Sequence, residues 1–348
     1  MVPCIVLFFI FGIFFSSPIL YLLSPFVVSM YDIRIDDFLS SEGRRVFFWV
    51  ATGRYRDERG KTELGQDRPE QTGIEAGISH DKGSDISDPN VVGQNDLLIV
   101  GPGVLGRIVA EKWQKEHPDC KVYGQTASKN HHSELTDLGI IPSLKGTTIH
   151  QKVPHVIFCA PPSGSDDYPG DVRLAASNWS GEGSFLFTSS TALYDCSDNS
   201  MCNEDCPSVP IGRSPRTDVL LKVENVVLEA GGCIDRGAHV FWLRKGTLDT
   251  QPDHIINQIH YEDAASLAIA IMKKRLPSRI FLGCDNKPLS RQEIMDAVNK
   301  SGKFDTKFEG FTGTDGPLGK RMENSKTRAE IGWEPKYPSF TEFLGISS

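Results

Sequence analysis

Short apolar runs alternate with stretches of helical periodicity along most of this chain. The run Leu97 to Val100 is apolar throughout and is bounded by Asp96 and Gly101, which is typical of a buried parallel strand. Apolar side chains then recur at helical spacing, at Val104, Leu105, Ile108, Val109 and Trp113. The pattern therefore predicts a strand, a tight turn and an amphipathic helix in direct succession.

The same alternation continues toward the C-terminus. Further strands are predicted over residues 120–124, 153–160, 184–189, 240–244 and 279–282. Further helices are predicted over residues 217–230, 262–274 and 290–300, the last begun by a Ser290/Glu293 capping box. Strands that alternate with helices indicate the α/β class and a doubly wound parallel sheet. We expect this domain over residues 96–345, with a small C-terminal substrate lobe from about residue 245.

The first strand leads into Gly101-x-Gly103-x-x-Gly106, in the strand–turn–helix context that a dinucleotide-binding Rossmann unit requires. Gly101 permits the turn, Gly103 lets the backbone approach a pyrophosphate, and Gly106 lets the helix pack on the strand. The helix N-terminus presents N–H groups and a partial positive charge to the phosphates. We therefore predict that Gly101, Gly103, Val104, Leu105 and Gly106 bind the cofactor. The alternative is a glycine-rich turn with a structural role only.

The end of the second strand predicts which dinucleotide is bound. An Asp or Glu at this point would bind the ribose 2′-OH of NAD. Residues 124–129 read Gly-Gln-Thr-Ala-Ser-Lys and contain no carboxylate. Thr126, Ser128 and Lys129 offer hydroxyls and an ammonium group to a 2′-phosphate instead. This favours NADP, with NAD as the alternative.

The strand over 184–189 is followed by hydroxyl side chains, including Ser190. Residues at the C-terminal end of a strand face the ligand crevice of a doubly wound sheet. Ser190 is therefore a candidate for contact with substrate. The alternative is a serine-rich turn that satisfies its own backbone.

Several motifs occur together in one order. They are the glycine loop, Ser-Ser-x-x-x-Tyr at 189–194, Ile-His-Tyr-Glu-Asp-Ala-Ala at 259–265, Pro-Leu-Ser-Arg-Gln-Glu at 288–293, and the segments 320–324 and 331–335. This set resembles the short-chain dehydrogenase/reductase superfamily, on its branch of extended NAD-dependent epimerases and dehydratases. The resemblance implies an NAD(P)-dependent reductase, epimerase or dehydratase that acts on a small, sugar-nucleotide-like substrate. It also implies that Ser190 is the catalytic serine and that Tyr194 is structural.

The catalytic Tyr-x-x-x-Lys pair of that family has no counterpart here. In one register Arg216 takes the place of the tyrosine and Leu220 that of the lysine. In the other register Asp218 and Lys222 stand there, and neither register supplies a phenol. An arginine stays protonated, so Arg216 can stabilise negative charge but cannot exchange a proton. The chain thus resembles the atypical members of the superfamily, and a non-catalytic dinucleotide-binding sensor or assembly factor is the alternative.

Cys196, Cys202 and Cys206 lie close together in the sequence. Their x5 and x3 spacings match no standard zinc site. We therefore predict incidental thiols and no metal site, with a redox-active pair as the alternative. A net charge of −8 without a Lys/Arg cluster excludes a nucleic-acid-binding surface.

The N-terminal segment 1–30 differs from the rest of the chain. Residues 4–30 carry no charge and are long enough to cross a bilayer, which takes about 20 residues. Arginines follow at 34, 44 and 45, so the positive-inside rule predicts a membrane anchor with a cytosolic domain. The alternative is that this segment is not part of the functional protein, which would then be soluble in the cytosol or a plastid. The polar stretch within 31–95 is predicted to be a flexible linker.

Overall fold

The computed structural model describes residues 33–39, 45–51, 92–147, 151–237, 247–303 and 308–346. The strands are β1 Ile33–Leu39, β2 Arg45–Ala51, β3 Leu97–Val100, β4 Val122–Thr126, β5 Ile140–Leu144, β6 Val153–Phe158, β7 Trp179–Ser190, β8 Asp198–Cys202, β9 Cys233–Gly237, β10 Thr247–Leu248, β11 Ile255–Ile256, β12 Ile280–Gly283, β13 Leu289–Ser290, β14 Gly310–Phe311 and β15 Gly319–Met322. The helices are α1 Val104–Glu116, α2 His132–Asp137, α3 Tyr168–Ser177, α4 Pro215–Glu229, α5 Tyr261–Lys274, α6 Arg291–Ser301, α7 Ser325–Ile331 and α8 Phe340–Phe343, with a 3₁₀ turn at Thr191–Leu193.

A seven-stranded sheet in the order β12-β9-β7-β6-β3-β4-β5 forms the centre of the molecule. Every neighbouring pair in it is parallel. Parallel sheets are covered by helices on both faces. This explains why β3, an interior strand of the sheet, is apolar throughout. Leu97 and Ile99 pack with α1 and α5 on one face, whereas Leu98 and Val100 pack with α3 and α4 on the other. The predicted doubly wound α/β fold is confirmed.

The C-terminal part of the chain builds a second, smaller sheet in the order β13-β11-β15-β8. Its helix α6 begins with the predicted capping box between Ser290 and Glu293. The lobe is not one continuous segment, because α5 and β12 return to the central sheet while β8 leaves it to pair with β15. The sequence pattern did not predict this exchange of segments.

Some predictions fall on residues that the structure does not describe. The predicted strand over 240–244 is one of them, and β9 at Cys233–Gly237 is a strand that the pattern missed. The predicted membrane segment 4–30 and most of the predicted linker also lie outside the described residues. The antiparallel pair β1–β2 occupies part of the stretch predicted as linker. Among the helices of the described ranges, none is long and apolar enough to cross a membrane.

Candidate active site

The glycine loop packs tightly against the neighbouring strand. Gly101 has φ of +81°, and a Cβ atom there would lie 2.6 Å from the backbone of Ala160, just beyond β6. A Cβ atom on Gly106 would lie 2.9 Å from Cγ2 of Ile99. These contacts give the two glycines structural roles: Gly101 holds a left-handed turn and Gly106 brings α1 onto β3.

Gly103 differs from both of these glycines because its open side meets no other part of the protein. The nearest atom to a Cβ placed there would be the carbonyl oxygen of Gly101, at 4.0 Å. Gly103 is the N-cap of the 13-residue helix α1, and no side chain caps this end. The first N–H groups of a helix, here those of Val104, Leu105 and Gly106, have no acceptor within the helix. The result is an open cradle of donors with a partial positive charge, which fits a pyrophosphate.

The end of β4 carries both predicted and unpredicted polar groups. The Thr126 hydroxyl donates to the carbonyl oxygen of Ser128 at 2.8 Å and lies 2.7 Å from Nε2 of His132. Close by in the chain, Glu134 accepts a hydrogen bond of 2.9 Å from the Arg107 guanidinium and lies 2.9 Å from Nδ1 of His131. Burial by itself would raise the pKa of Glu134, but these two partners lower it. No sequence pattern indicates this ion pair, because α1 and α2 are separated by a strand.

Ser190 stands where β7 ends, at the same edge of the sheet as the glycine loop. It is the N-cap of the 3₁₀ turn, and its hydroxyl accepts from the backbone N–H of Ala192 at 3.2 Å. Its neighbour Ser189 serves a different purpose, because its hydroxyl donates to Glu224 at 2.6 Å in the interior. Ser190 is half-buried, and its hydroxyl accepts within its own turn, which is the arrangement that the alternative of a self-satisfied serine turn predicts.

A buried ion pair lies directly behind this serine. Arg236 on β9 donates two hydrogen bonds to Glu224 on α4, at 2.9 and 2.5 Å, and a third to Ser208 at 3.1 Å. Its guanidinium also lies 4.5 Å from the centre of the Tyr194 ring. Burial alone would lower the pKa of Arg236, but Glu224 raises it. The arginine therefore stays charged and holds β9, α4 and the loop after β7 together.

Tyr194 is a core residue of this arrangement. Its ring is fully buried beneath the guanidinium of Arg236. Burial raises the pKa of its phenol well above the ordinary value, although Arg236 opposes the shift. The phenol therefore stays protonated at neutral pH and is unsuited to proton exchange. This agrees with the structural role that the family resemblance implies for Tyr194.

Helix α4 carries the residues that stand at the Tyr-x-x-x-Lys positions. Leu220 is 5% exposed and packs into the core between α4 and the sheet. Arg216 lies exposed in the first turn of α4, and α4 contacts the 3₁₀ turn after Ser190. In the other register, Asp218 accepts a hydrogen bond of 2.8 Å from the N–H of Gly212, and Lys222 is exposed. Neither register places a phenol on this helix.

A second buried carboxyl group belongs to Asp235 on β9. Its Oδ1 has no hydrogen-bond partner among the described residues. Gly283 on the adjacent β12 makes room for it, since a Cβ atom there would lie 2.5 Å from Oδ1. Burial raises the pKa of Asp235 to about 7. Asp235 is thus a buried acid within the central sheet, and no sequence pattern indicates it.

Solved structures of other proteins share the fold of this chain. No family model matches the chain, and no curated protein matches it. A conserved protein of unknown function from Silicibacter pomeroyi superposes with a TM-score of 0.60 and 19% identity, over 72% of this chain and 96% of that one. The dTDP-glucose 4,6-dehydratase of Bacillus anthracis, in complex with NAD, gives 0.57 and 13%, over 72% and 94%. The UDP-glucuronic acid 4-epimerase of Bacillus cereus, also with NAD, gives 0.57 and 14%, over 72% and 94%. The chain therefore has the Rossmann-type fold of NAD-dependent epimerases and dehydratases.

The buried ion pair generates a prediction about stability. Glu224→Ala leaves the Arg236 guanidinium charged, 3% exposed and without its carboxylate partner. Breaking such a pair costs about 3–5 kcal/mol of unfolding free energy, which urea denaturation would measure. The control is Glu330→Ala, which removes a pair with the half-exposed Arg279 and should cost about 1 kcal/mol or less. Equal losses for the two variants would contradict the role assigned to Glu224.

Asp235 generates a prediction about pH. Its folded-state pKa of about 7 lies above the unfolded value near 4, so the stability it contributes is present below pH ~4 and is lost as the pH rises to ~7. Asp235→Asn stays neutral throughout. Relative to wild type, its unfolding free energy should rise between these pH values by up to about 1.4 kcal/mol per pH unit. A difference that stays constant over this range, in denaturation at several pH values, would rule out a buried neutral carboxyl.

Proposed function

We propose that this protein binds a nicotinamide dinucleotide, with the pyrophosphate at the N-terminus of α1. The open side of Gly103 is the observation that carries this proposal. It supports the proposal because α1 begins there without a side-chain cap. Its first backbone N–H donors would otherwise face solvent. The dehydratase and the epimerase that share this fold are both NAD complexes, which gives further support.

The finer proposal is a preference for NADP over NAD. Lys129 and Ser128 follow β4 at the position where the 2′ group of the adenosine ribose is expected. Arg107 also lies at this edge of the sheet, where it is paired with Glu134. Glu134 is the carboxylate nearest in sequence, and it is already engaged by Arg107 and His131. This arrangement is more suitable for a 2′-phosphate than for an unsubstituted 2′-OH.

We further propose an epimerase/dehydratase-like or reductase-like reaction on a small, sugar-nucleotide-like substrate. The names of the structural neighbours, which include a dTDP-glucose dehydratase and a UDP-glucuronic acid epimerase, support this substrate class. The bound dinucleotide would supply hydride transfer. In this proposal the Ser190 hydroxyl donates to a substrate oxygen, and Arg216 stabilises negative charge that develops there. Neither group is a good base at neutral pH, so we expect turnover to be slow.

Cofactor binding is tested by Gly103→Val in the full chain. A branched side chain would fill the space where the pyrophosphate is proposed to lie, while its Cβ atom would come no closer than 4.0 Å to the Gly101 carbonyl oxygen. Calorimetric titration with NADPH and NADH should therefore show binding lost, with the melting temperature nearly unchanged. Gly106→Ala is the contrasting variant, because its Cβ atom would clash with Ile99 and should lower the melting temperature as well as the affinity. Unchanged affinity in Gly103→Val would contradict the proposal.

The catalytic proposal is tested with the cofactor-loaded protein and a panel of carbonyl and sugar-nucleotide substrates. We expect slow turnover by the wild type. Ser190→Ala and Arg216→Ala should each lower kcat by about 10²-fold, the usual cost of losing one donor to a developing oxyanion. Cofactor affinity should stay unchanged in both variants.

The control for the second variant is Arg213→Ala, which removes a nearby exposed arginine paired with Asp195. Its kcat should equal that of the wild type. Tight cofactor binding with no turnover on any substrate would contradict the catalytic proposal and favour a sensor or assembly factor. Fast turnover that neither Ser190→Ala nor Arg216→Ala affects would place the active site elsewhere.

A further inference from the structure

The loop after β7 brings three thiols together. The Sγ atoms of Cys196, Cys202 and Cys206 all lie within 4.8 Å of one another. Each thiol arrives on a different stretch of backbone: Cys196 just after Tyr194, Cys202 at the end of β8, and Cys206 in the following turn. We refer to these three residues as the cysteine cluster.

Backbone pairing explains this convergence. The N–H of Asp195 donates to the carbonyl oxygen of Pro207 at 2.9 Å, and Tyr194 forms an antiparallel bridge with Ser208. These contacts place Cys196 beside Cys206. Cys202 is brought in by the pairing of β8 with β15, where it lies opposite Met322. The cluster is therefore formed by three separate backbone interactions, which the x5 and x3 spacings could not indicate.

We propose that the cysteine cluster binds one zinc ion through three thiolates. Thiolate sulfurs bonded to a tetrahedral ion at about 2.3 Å are about 3.8 Å apart, so small side-chain rotations suffice to close the set. Thiolates select soft or borderline cations such as Zn²⁺ over Mg²⁺ or Ca²⁺. A disulfide would bond only two of the three sulfurs, whereas one ion can bind all three. Solvent takes the fourth position, because Cys196 and Cys206 are only half-buried.

The surroundings are suited to the charge of such a site. Each thiol releases its proton to solvent on binding, so a Zn²⁺ ion with three thiolates carries one net negative charge. The Lys320 ammonium group on β15 faces this region, where it donates to the carbonyl oxygens of Thr191, at 3.0 Å, and of Tyr194. The backbone N–H of Asn203 points to Sγ of Cys206 at 3.4 Å, as donors around metal-bound sulfur do.

The position of the cluster indicates what the ion would do. β8 belongs to the small C-terminal sheet, and Cys196 follows the loop that carries Ser190 and Tyr194. A metal bound by all three cysteines would fasten the small sheet to this loop. This link would not depend on whether the protein binds a dinucleotide.

The test uses the full chain, reduced and freed of metal, and titrates it with Co²⁺. We expect thiolate-to-cobalt charge-transfer absorbance that saturates at one equivalent and is abolished by Zn²⁺. Zn²⁺ should also raise the melting temperature. Cys196→Ser and Cys206→Ser are half-buried replacements that should fold, as circular dichroism would show. Each should lose at least about 100-fold in Zn²⁺ affinity, since even an outer-shell partner is worth 10- to 100-fold.

The matched control is Cys120→Ser, a half-buried cysteine outside the cluster, which should bind Co²⁺ like the wild type. The proposal is overturned if the reduced chain shows no charge-transfer band, or if Cys196→Ser and Cys206→Ser retain it. Intact mass measured without reductant separates the redox alternative. A disulfide would be assigned instead if the mass of the wild type is lower by two hydrogens and the chain binds no metal. This mass difference should then disappear in Cys196→Ser or Cys206→Ser.

Discussion

The close approach of the loop after β3 to the end of β6 is the constraint on which the candidate site depends. Gly101 can hold φ of +81° against the Ala160 backbone because it has no side chain. This turn reverses the chain at the sheet edge and directs the first N–H groups of α1 into the crevice. Gly106 then seats the helix on β3. With either glycine replaced, the cradle around Gly103 would lose its shape even though no ligand-facing atom had changed.

A second interaction fixes the substrate side of the crevice. Charges buried as deeply as those of Arg236 and Glu224 are costly to desolvate, and the hydrogen bonds between them and to Ser189 and Ser208 offset that cost. Glu224 accepts hydrogen bonds from Ser189 and Arg236. Arg236 also donates a hydrogen bond to Ser208, and its guanidinium lies over the ring of Tyr194. The pair therefore connects α4 and β9 to Ser189, the neighbour of Ser190 at the end of β7. The buried acid of α4, Glu224, stabilises the fold through its ion pair with Arg236. The helix carries no tyrosine that could act in catalysis.

Local patterns were sufficient to predict several of the elements and the glycine loop, although they missed β9. The apolar run of β3, the periodicity of α1 and the Ser290/Glu293 capping box each depend on residues close together in sequence. What sequence reasoning missed depends on contacts between distant residues. Arg107 meets Glu134 across β4, and Cys202 meets Cys196 only because β8 leaves the central region to pair with β15. No periodicity or spacing rule indicates such a contact, so the sequence alone predicts incidental thiols at these positions.

The two halves of the proposed function rest on different physics, and this explains how one can survive without the other. Dinucleotide binding uses backbone donors and the helix dipole, which no side-chain substitution in α4 removes. Proton transfer needs a group whose pKa lies near the working pH, and neither Ser190 nor Arg216, the two side chains proposed to contact the substrate, is such a group. Tyr194 stays protonated in the core, and Arg216 stays protonated at the surface. A cofactor fold with this composition can hold a dinucleotide tightly while it gives a carbonyl substrate charge stabilisation only, which favours slow chemistry that requires little proton transfer.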